Sequence, residues 1–228
     1  MGRSIVIRII ALVARTAIFL LIVSPVVSEL AQAQIQAPQV FGFTPVPVPP
    51  QSDLTPYTKW RDMERRMQEN PDWADEDCTS AVKTCPQREW RKMLGRARSR
   101  SEEEQLDDVN RFLNKIDYVP DAINWNGIDY WETPREFFLK GGECKDYSIS
   151  KYFSLKILGW PAERLWIVIL QDLNLRVTHA VLAAELPDKT LILDNQVADL
   201  VDQSRIHHYR PIFALSEAGW VIYRPLAP

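Results

Sequence analysis

Three polar side chains, far apart along the chain, have the types that nucleophilic catalysis requires. Cys144 lies in "GGECKDY", His179 in "RVTHAVLAAEL" and Asp194 in "TLILDN". A cysteine nucleophile needs a base, and the base needs an acceptor that orients it. Cys144 stands where a helical run begins, and a helix N-terminus favours the thiolate form of cysteine. This order of residue types predicts a Cys–His–Asp triad.

The segments around His179 and Asp194 indicate how these two side chains meet. Alternation in the first segment predicts a strand with Val177, His179 and Val181 on one face. A polar ring inside a strand needs a partner. If the two segments pair as a hairpin, Asp194 can lie beside His179. Two structural alternatives stay open, a core histidine with a structural acceptor and an aspartate that only forms a turn.

The residues before Cys144 also suit catalysis. Gly141 and Gly142 permit close backbone approach and unusual dihedral angles. Backbone N–H groups at this position can face an oxyanion. A small packed cysteine at a helix start is the competing interpretation.

The surrounding pattern predicts an α+β domain. Helical segments occupy the N-terminal part, and a helix is expected from Cys144 to Leu158, ended by Gly159 and Pro161. Four strand candidates follow, and sequential strands favour an antiparallel sheet packed on this central helix. They are "RLWIVILQ", "RVTHAVLAAEL", "TLILDN" and "GWVIYRP".

The N-terminus predicts export. Arginines at 3, 8 and 15 accompany an apolar stretch, and Ala31-Gln32-Ala33 fits the small-x-small rule for cleavage. We therefore expect a signal peptide over 1–33 and a periplasmic protein, with an uncleaved membrane anchor as the alternative. Residues 34–56 are rich in proline and predict an extended arm or linker, and 57–228 the catalytic domain.

The cysteine count fits this compartment. There are three cysteines, and an odd number in an exported protein predicts a pair and one free thiol. Cys78 and Cys85 are close enough in sequence for a small disulfide loop, with two reduced cysteines as the alternative. His207 and His208 are expected at the surface, because two ligands do not make a zinc site. The net charge of −3 gives no sign of a nucleic-acid partner.

Several motifs together resemble a known family. The segments "GGECKDYSISKYFSLKILG", "THAVLAAEL" and "LILDN", with "VNRFLNKIDYVPD" and "DYWETPREFF" upstream, are similar to the bacterial transglutaminase-like cysteine peptidases. This family includes the LapG-type periplasmic proteases. The resemblance implies a papain/transglutaminase-like fold in which Cys144, His179 and Asp194 cleave an amide bond through a thioester. It also implies Trp131 as a cleft wall or an oxyanion donor, unless this residue only packs in the core.

The resemblance further implies a protein substrate such as a surface adhesin, and an inner-membrane receptor as regulator. Acyl transfer to or deamidation of glutamine, and a non-catalytic periplasmic binding module, are the alternative functions. LapG-type members are similar to calcium-binding proteins with acidic residues on both sides of the nucleophile. Here Glu143 and Asp146 could supply oxygens, but Lys145 follows the cysteine and a lysine repels a hard cation. We therefore expect no requirement for calcium.

Overall fold

The computed structural model describes residues 37–48, 55–70, 85–127 and 129–226. Cys78 and the predicted signal peptide lie outside these residues, so the disulfide, the signal peptide and its cleavage stay predictions. Among the described residues, no helix has both the length and the apolar character needed to cross a membrane.

Six α-helices are described, and the last of these carries Cys144. They are α1 (Thr55–Glu69), α2 (Pro86–Ala97), α3 (Glu102–Leu113), α4 (Asp121–Asn124), α5 (Pro134–Lys140) and α6 (Cys144–Leu158). The predicted bounds of α6 are confirmed. Gly159 ends this helix in the left-handed conformation, with φ of 101°, which glycine adopts without steric cost.

Seven antiparallel strands form one sheet in the order β1-β7-β6-β2-β3-β4-β5. Their bounds are β1 (Phe43–Pro47), β2 (Leu165–Asp172), β3 (Val177–Glu185), β4 (Thr190–Leu193), β5 (Val201–Asp202), β6 (Tyr209–Ser216) and β7 (Gly219–Pro225). The mixed helix-and-sheet architecture confirms the predicted fold class. The β3–β4 hairpin is also confirmed, with Leu182 paired to Leu193. This register brings the end of β4, and Asp194 after it, close to His179.

Both faces of the sheet are covered. The helices pack on one face, where Ile167, Leu182 and Leu193 join the larger core. Alternate residues of the same strands, such as Val168 and Val181, enter a second core on the other face. Because α6 lies between the sheet and α2, α3 and α5, every residue from Lys145 to Leu155 is buried. The helix that carries Cys144 is therefore held from several sides.

The proline-rich segment contributes an element that the sequence did not predict. Part of it forms β1, which pairs with β7 at the edge of the sheet. Pro45 and Pro47 are compatible with this strand because an edge strand leaves some N–H positions without a ladder partner. An edge strand was not predicted because its pairing partner lies almost 180 residues downstream, and no local pattern shows it.

Candidate active site

Cys144 is the first residue of α6, and the side chain of Asp146 closes this end of the helix. The Glu143 N–H donates to Asp146 Oδ2 at 2.9 Å, which satisfies one of the helix's unpaired donors. Cys144 is a free thiol and is half-buried. Its sulfur is thus presented at a helix N-terminus that is partly open to solvent.

The two preceding glycines are required by close contacts. A Cβ on Gly141 would lie 2.4 Å from the carbonyl oxygen of Asp117, and its φ of +71° is unfavourable for other residues. A Cβ on Gly142 would lie 2.8 Å from Asp146 Cβ and 2.9 Å from Glu132 Oε2. The backbone can therefore pass this point only without side chains.

His179 joins the other two residues of the predicted triad. Its Nε2 lies 2.9 Å from Asp194 Oδ1, and both side chains are almost fully buried. The Cys144 side chain lies close enough to the ring to help raise the pKa of His179. Because Nε2 faces Asp194, Nδ1 is the nitrogen available to the sulfur, and the Gln196 side-chain amide lies 3.5 Å from the same nitrogen. The structure therefore places the imidazole between the thiol and the carboxylate.

Three donors fix the carboxylate of Asp194. His179 contacts Oδ1, the Gln196 N–H donates to the same oxygen at 2.9 Å, and the Tyr209 hydroxyl donates to Oδ2 at 2.7 Å. Burial raises the pKa of Asp194, but these hydrogen bonds outweigh it and hold the pKa below its ordinary value. The side-chain amide of Asn114, which directly follows α3, donates to the Asp194 carbonyl at 2.8 Å. The carboxylate is thus ionised and fixed in position.

The same contacts determine the protonation of His179. Burial lowers its pKa, but the hydrogen bonds and negative charge of Asp194 and Cys144 outweigh burial and raise it to about 9. At neutral pH the ring is therefore an imidazolium, and a cation beside a cysteine favours the thiolate. A thiolate beside an imidazolium is the attacking form of a cysteine nucleophile.

A cavity of about 500 Å³ opens onto the sulfur and the imidazole. Trp131 forms part of its wall, with 5% of its surface exposed, and also belongs to the main core. Ile169, Ala180 and Phe213 give the cavity an apolar side, and an ion pair between Lys59 and Asp129 lies among its other lining residues. This volume accommodates a few residues of an extended peptide.

Lys145, the residue after the nucleophile, is buried. Its ammonium contacts three carboxylates. The distances from Nζ are 2.9 Å to Asp121 Oδ2, 3.2 Å to Glu143 Oε2 and 3.2 Å to Asp146 Oδ2. Burial lowers the pKa of Lys145, but these carboxylates outweigh it and raise the pKa above its ordinary value. The side chain is therefore a permanent cation next to Cys144.

Two buried acids of this region differ in charge. Burial raises the pKa of Glu132 to about 8, with a further contribution from Asp146, so Glu132 is mostly neutral at pH 7. Burial also raises the pKa of Asp146, to about 6, against the opposing effect of Lys145 and two backbone N–H groups. Asp146 accepts hydrogen bonds from Glu132 N–H, Glu143 N–H and Lys145, as an ionised carboxylate does.

Sequence reasoning missed Tyr209, Gln196 and the burial of Lys145. Tyr209 begins β6. It follows the two histidines His207 and His208, and its own residue type gave no sign of a catalytic role. His207 is exposed and His208 is partly buried, its ring packing edge-on against Tyr209 at 4.5 Å. Cys85 is buried at the start of α2. Within the described residues, no group of three or more histidine, cysteine, aspartate or glutamate side chains is arranged to hold a metal ion.

Known proteins resemble this chain in sequence and in fold. The sequence profile of the family described as bacterial transglutaminase-like cysteine proteinase (BTLCP) matches residues 66–218, which include all three residues. The chain belongs to this family. It is therefore a cysteine peptidase with a papain/transglutaminase-like α+β fold.

Solved structures of the family superpose on the chain. LapG of Legionella pneumophila is 26% identical, with a TM-score of 0.55, and the match covers 71% of this chain and 86% of LapG. Calcium-bound LapG gives a TM-score of 0.56 over the same shares, and EGTA-treated LapG gives 0.55 over 71% and 84%. Among curated proteins, no sequence matches this chain.

Proposed function

We propose that this peptidase is exported and cleaves amide bonds in a periplasmic or surface protein, using Cys144 as nucleophile, His179 as acid and base, and Asp194 as orienting carboxylate. The observation that carries the proposal is that Cys144 and His179 line the same open cavity, with His179 Nε2 2.9 Å from Asp194 Oδ1.

The chemistry follows from the charges of the site. The Cys144 thiolate attacks the amide carbonyl carbon and forms a sulfur–carbon bond. His179 donates its proton to the nitrogen, the carbon–nitrogen bond breaks and the amine leaves. The neutral imidazole then takes a proton from water, which attacks the thioester and releases a carboxylic acid and the thiolate. Backbone N–H groups at the start of α6 would stabilise the oxyanion in this scheme.

Asp194 keeps His179 in the orientation for these transfers. Its contact with Nε2 leaves Nδ1 for the sulfur and the leaving amine, and its charge stabilises the imidazolium. Tyr209 in turn prevents Asp194 from rotating, since it holds the second oxygen. Tyr209 and Gln196 are positioning residues in this scheme.

Calcium does not fit the residues of this chain. LapG has been solved with calcium bound. In this chain the acidic residues near the nucleophile that could supply ligand oxygens are Glu143 and Asp146. Their Oε2 and Oδ2 atoms face the Lys145 ammonium, which also takes Oδ2 of Asp121. A divalent ion there would meet a positive charge at about hydrogen-bond distance from the same oxygens. We propose that catalysis does not depend on calcium.

The similarity to LapG suggests that the substrate is a surface adhesin and that a membrane receptor regulates the enzyme. Substrates can be found by comparing exported proteins of cells that carry the wild-type enzyme or Cys144→Ala and identifying new N-termini. The proposal expects termini that require Cys144. The matched control is Cys144→Ser, which keeps the size of the side chain but removes the nucleophilic sulfur. A substitution of Cys85 is not a suitable control, because this cysteine is buried and its loss could change the fold.

The same strains separate the other functions. Attachment of a labelled amine to glutamine, without new termini, would show an acyl transferase. Full biological activity of Cys144→Ala would show a binding module and contradict the proposed chemistry.

A further inference from the structure

The Lys145 ammonium joins parts of the chain that are distant in sequence. Its partners are Asp121 at the start of α4 and two residues at the start of α6, Glu143 and Asp146. The lysine side chain is only 8% exposed, and Asp146 is fully buried. We call Lys145, Asp121, Glu143 and Asp146 the carboxylate cluster.

Each carboxylate of the cluster also holds a backbone segment. Asp121 Oδ2 accepts from the Tyr130 N–H and Glu143 Oε1 accepts from the Asp121 N–H, both at 2.9 Å. Asp146 accepts from the N–H groups of Glu132 and Glu143, also at 2.9 Å. Through these hydrogen bonds, the cluster connects the segment before α5 and the start of α4 to the residues on either side of Cys144.

Without a cation this arrangement would be unstable. Three carboxylates would approach one another in a region with little water, where like charges repel strongly and each loses its hydration. A hard divalent cation is one solution to this problem, since several carboxylate oxygens around one point suit such an ion. Here a single point charge, the ammonium, lies among the three oxygens.

The cluster also has an unused acceptor atom, and a mostly neutral acid lies next to it. Within the described residues, Asp121 Oδ1 of the cluster and Oε2 of the neighbouring Glu132 are buried without a hydrogen-bond partner. Glu132 Oε2 lies beside Gly142 together with Asp146 Oδ2. If the ammonium is removed, the carboxylate oxygens of Asp121, Glu143 and Asp146 that now face it are left without a cation between them.

We propose that Lys145 is a positioning residue that supplies a built-in cation in the place of a divalent metal, so that the segment carrying Cys144 is held without metal. The carboxylates that could bind calcium in this chain already contact the Lys145 ammonium. The proposal rests on the proposed function only for its consequence for activity, because its main readout is stability.

The decisive experiment measures thermal unfolding of the purified protein and of Lys145→Ala, each in EGTA and in millimolar calcium. For the wild type we expect the same melting temperature in both. In EGTA we expect Lys145→Ala to melt about 10 °C lower, because buried charges lose their partner. Calcium should restore most of this loss in the variant.

Two further variants complete the test. Lys156→Ala removes a lysine of the same helix that pairs with Glu217 at 3.0 Å, away from the cluster, and should change little and not respond to calcium. Lys145→Arg keeps the charge and should stay insensitive to EGTA. If Lys145→Ala folds only when calcium is present, the result also supports the proposal.

A second readout reports on Cys144 itself. The rate of iodoacetamide alkylation at pH 6 should fall severalfold in Lys145→Ala in EGTA and recover with calcium, whereas a general loss of stability would not be restored in this way. Calcium stabilisation of the wild type, wild-type stability of Lys145→Ala in EGTA, or a Lys145→Ala protein that calcium cannot rescue would each overturn the proposal. Absence of peptidase activity with these stability results intact would instead contradict the proposed function.

Discussion

At the scale of single residues, the proton on His179 connects the electrostatics of the site with its chemistry. The ring is almost fully buried, which alone would make it neutral, yet Asp194 and Cys144 keep it charged. The carboxylate in turn is held by Tyr209 and Gln196. The state of the nucleophile therefore depends on a series of contacts that ends in β6.

This electrostatic coupling predicts an unusual titration. The Hε1 proton of His179 should titrate near pH 9 by NMR, and the spectrum is simple because the chain has three histidines. In Asp194→Asn the midpoint should fall by at least about one pH unit, since a neutral amide stabilises the imidazolium less. His207 serves as an exposed internal control. A wild-type midpoint near the ordinary value of histidine would contradict the proposed ion pair.

The same shift has a consequence for stability. Since the folded-state pKa of His179 is raised above that of the unfolded chain, its contribution is fully present below about pH 6.5 and is lost as the pH rises through about 9. Glu132 acts in the same direction, because its raised pKa means that ionisation between about pH 4.5 and pH 8 destabilises the folded state.

At the scale of elements, α6 combines a catalytic end with an almost entirely buried body. It contains Lys151, which is completely buried, and its Nζ has no hydrogen-bond partner within the described part of the chain. Burial lowers the pKa of Lys151 to about 7, with a weaker opposing effect from Asp194. A lysine in this environment costs stability unless its charge serves a purpose.

We therefore predict that Lys151→Met stabilises the protein by about 1–3 kcal/mol at pH 7, because methionine fills similar volume without a polar atom to desolvate. The gain should shrink as the pH rises from about 7 to about 10.5, since the unfolded chain loses the proton that the folded lysine has already released. Chemical denaturation at several pH values measures this, with Lys156→Met as the partly exposed control on the same helix. A destabilised Lys151→Met would show that Asp194 needs the ammonium.

The turn before α6 shows how an element sets the position of a nucleophile. Gly141 passes the Asp117 carbonyl, and Gly142 passes Asp146 and Glu132, at distances that exclude a Cβ. Because Gly142 has no side chain, Asp146 can pack against it and accept the Glu143 N–H at the start of the helix. Two glycines thus determine where α6 begins, and with it the place of Cys144.

At the scale of the whole molecule, the sheet is buried on both faces. The helical face carries α6, whereas the opposite face is covered partly by the segment around Val40 and Phe41, before β1. Tyr209, which holds Asp194, belongs to this second core and packs edge-on against Phe41 at 5.4 Å. The segment that leads into the domain is therefore packed against a support of the active site.

This packing makes the position of the mature N-terminus important. We predict cleavage of the exported chain after Ala33, which leaves the segment at Val40 in place. Mass spectrometry of the N-terminal peptide from the exported protein measures this. Ala31→Arg should block processing, because the cleavage rule needs a small residue there. A native protein that retains residues 1–33 and sediments with membranes would support the anchor alternative.

The sequence alone determined the local features of this protein. Residues close in the chain encode the bounds of α6, through Gly159, and the β3–β4 hairpin, through alternation and the turn at Pro187-Asp188. The order of Cys144, His179 and Asp194, with the hairpin, was enough to predict that the three side chains meet.

Only the tertiary structure decided which charges are buried and which distant groups support the site. The sequence does not show the burial of Lys145, which arises because α4 brings Asp121 to the ammonium beside Glu143 and Asp146. Contacts between segments distant in sequence also bring Tyr209 to Asp194 and pair β1 with β7. Desolvation and charge pairing depend on which segments meet in space, and no local periodicity or capping signal carries that information.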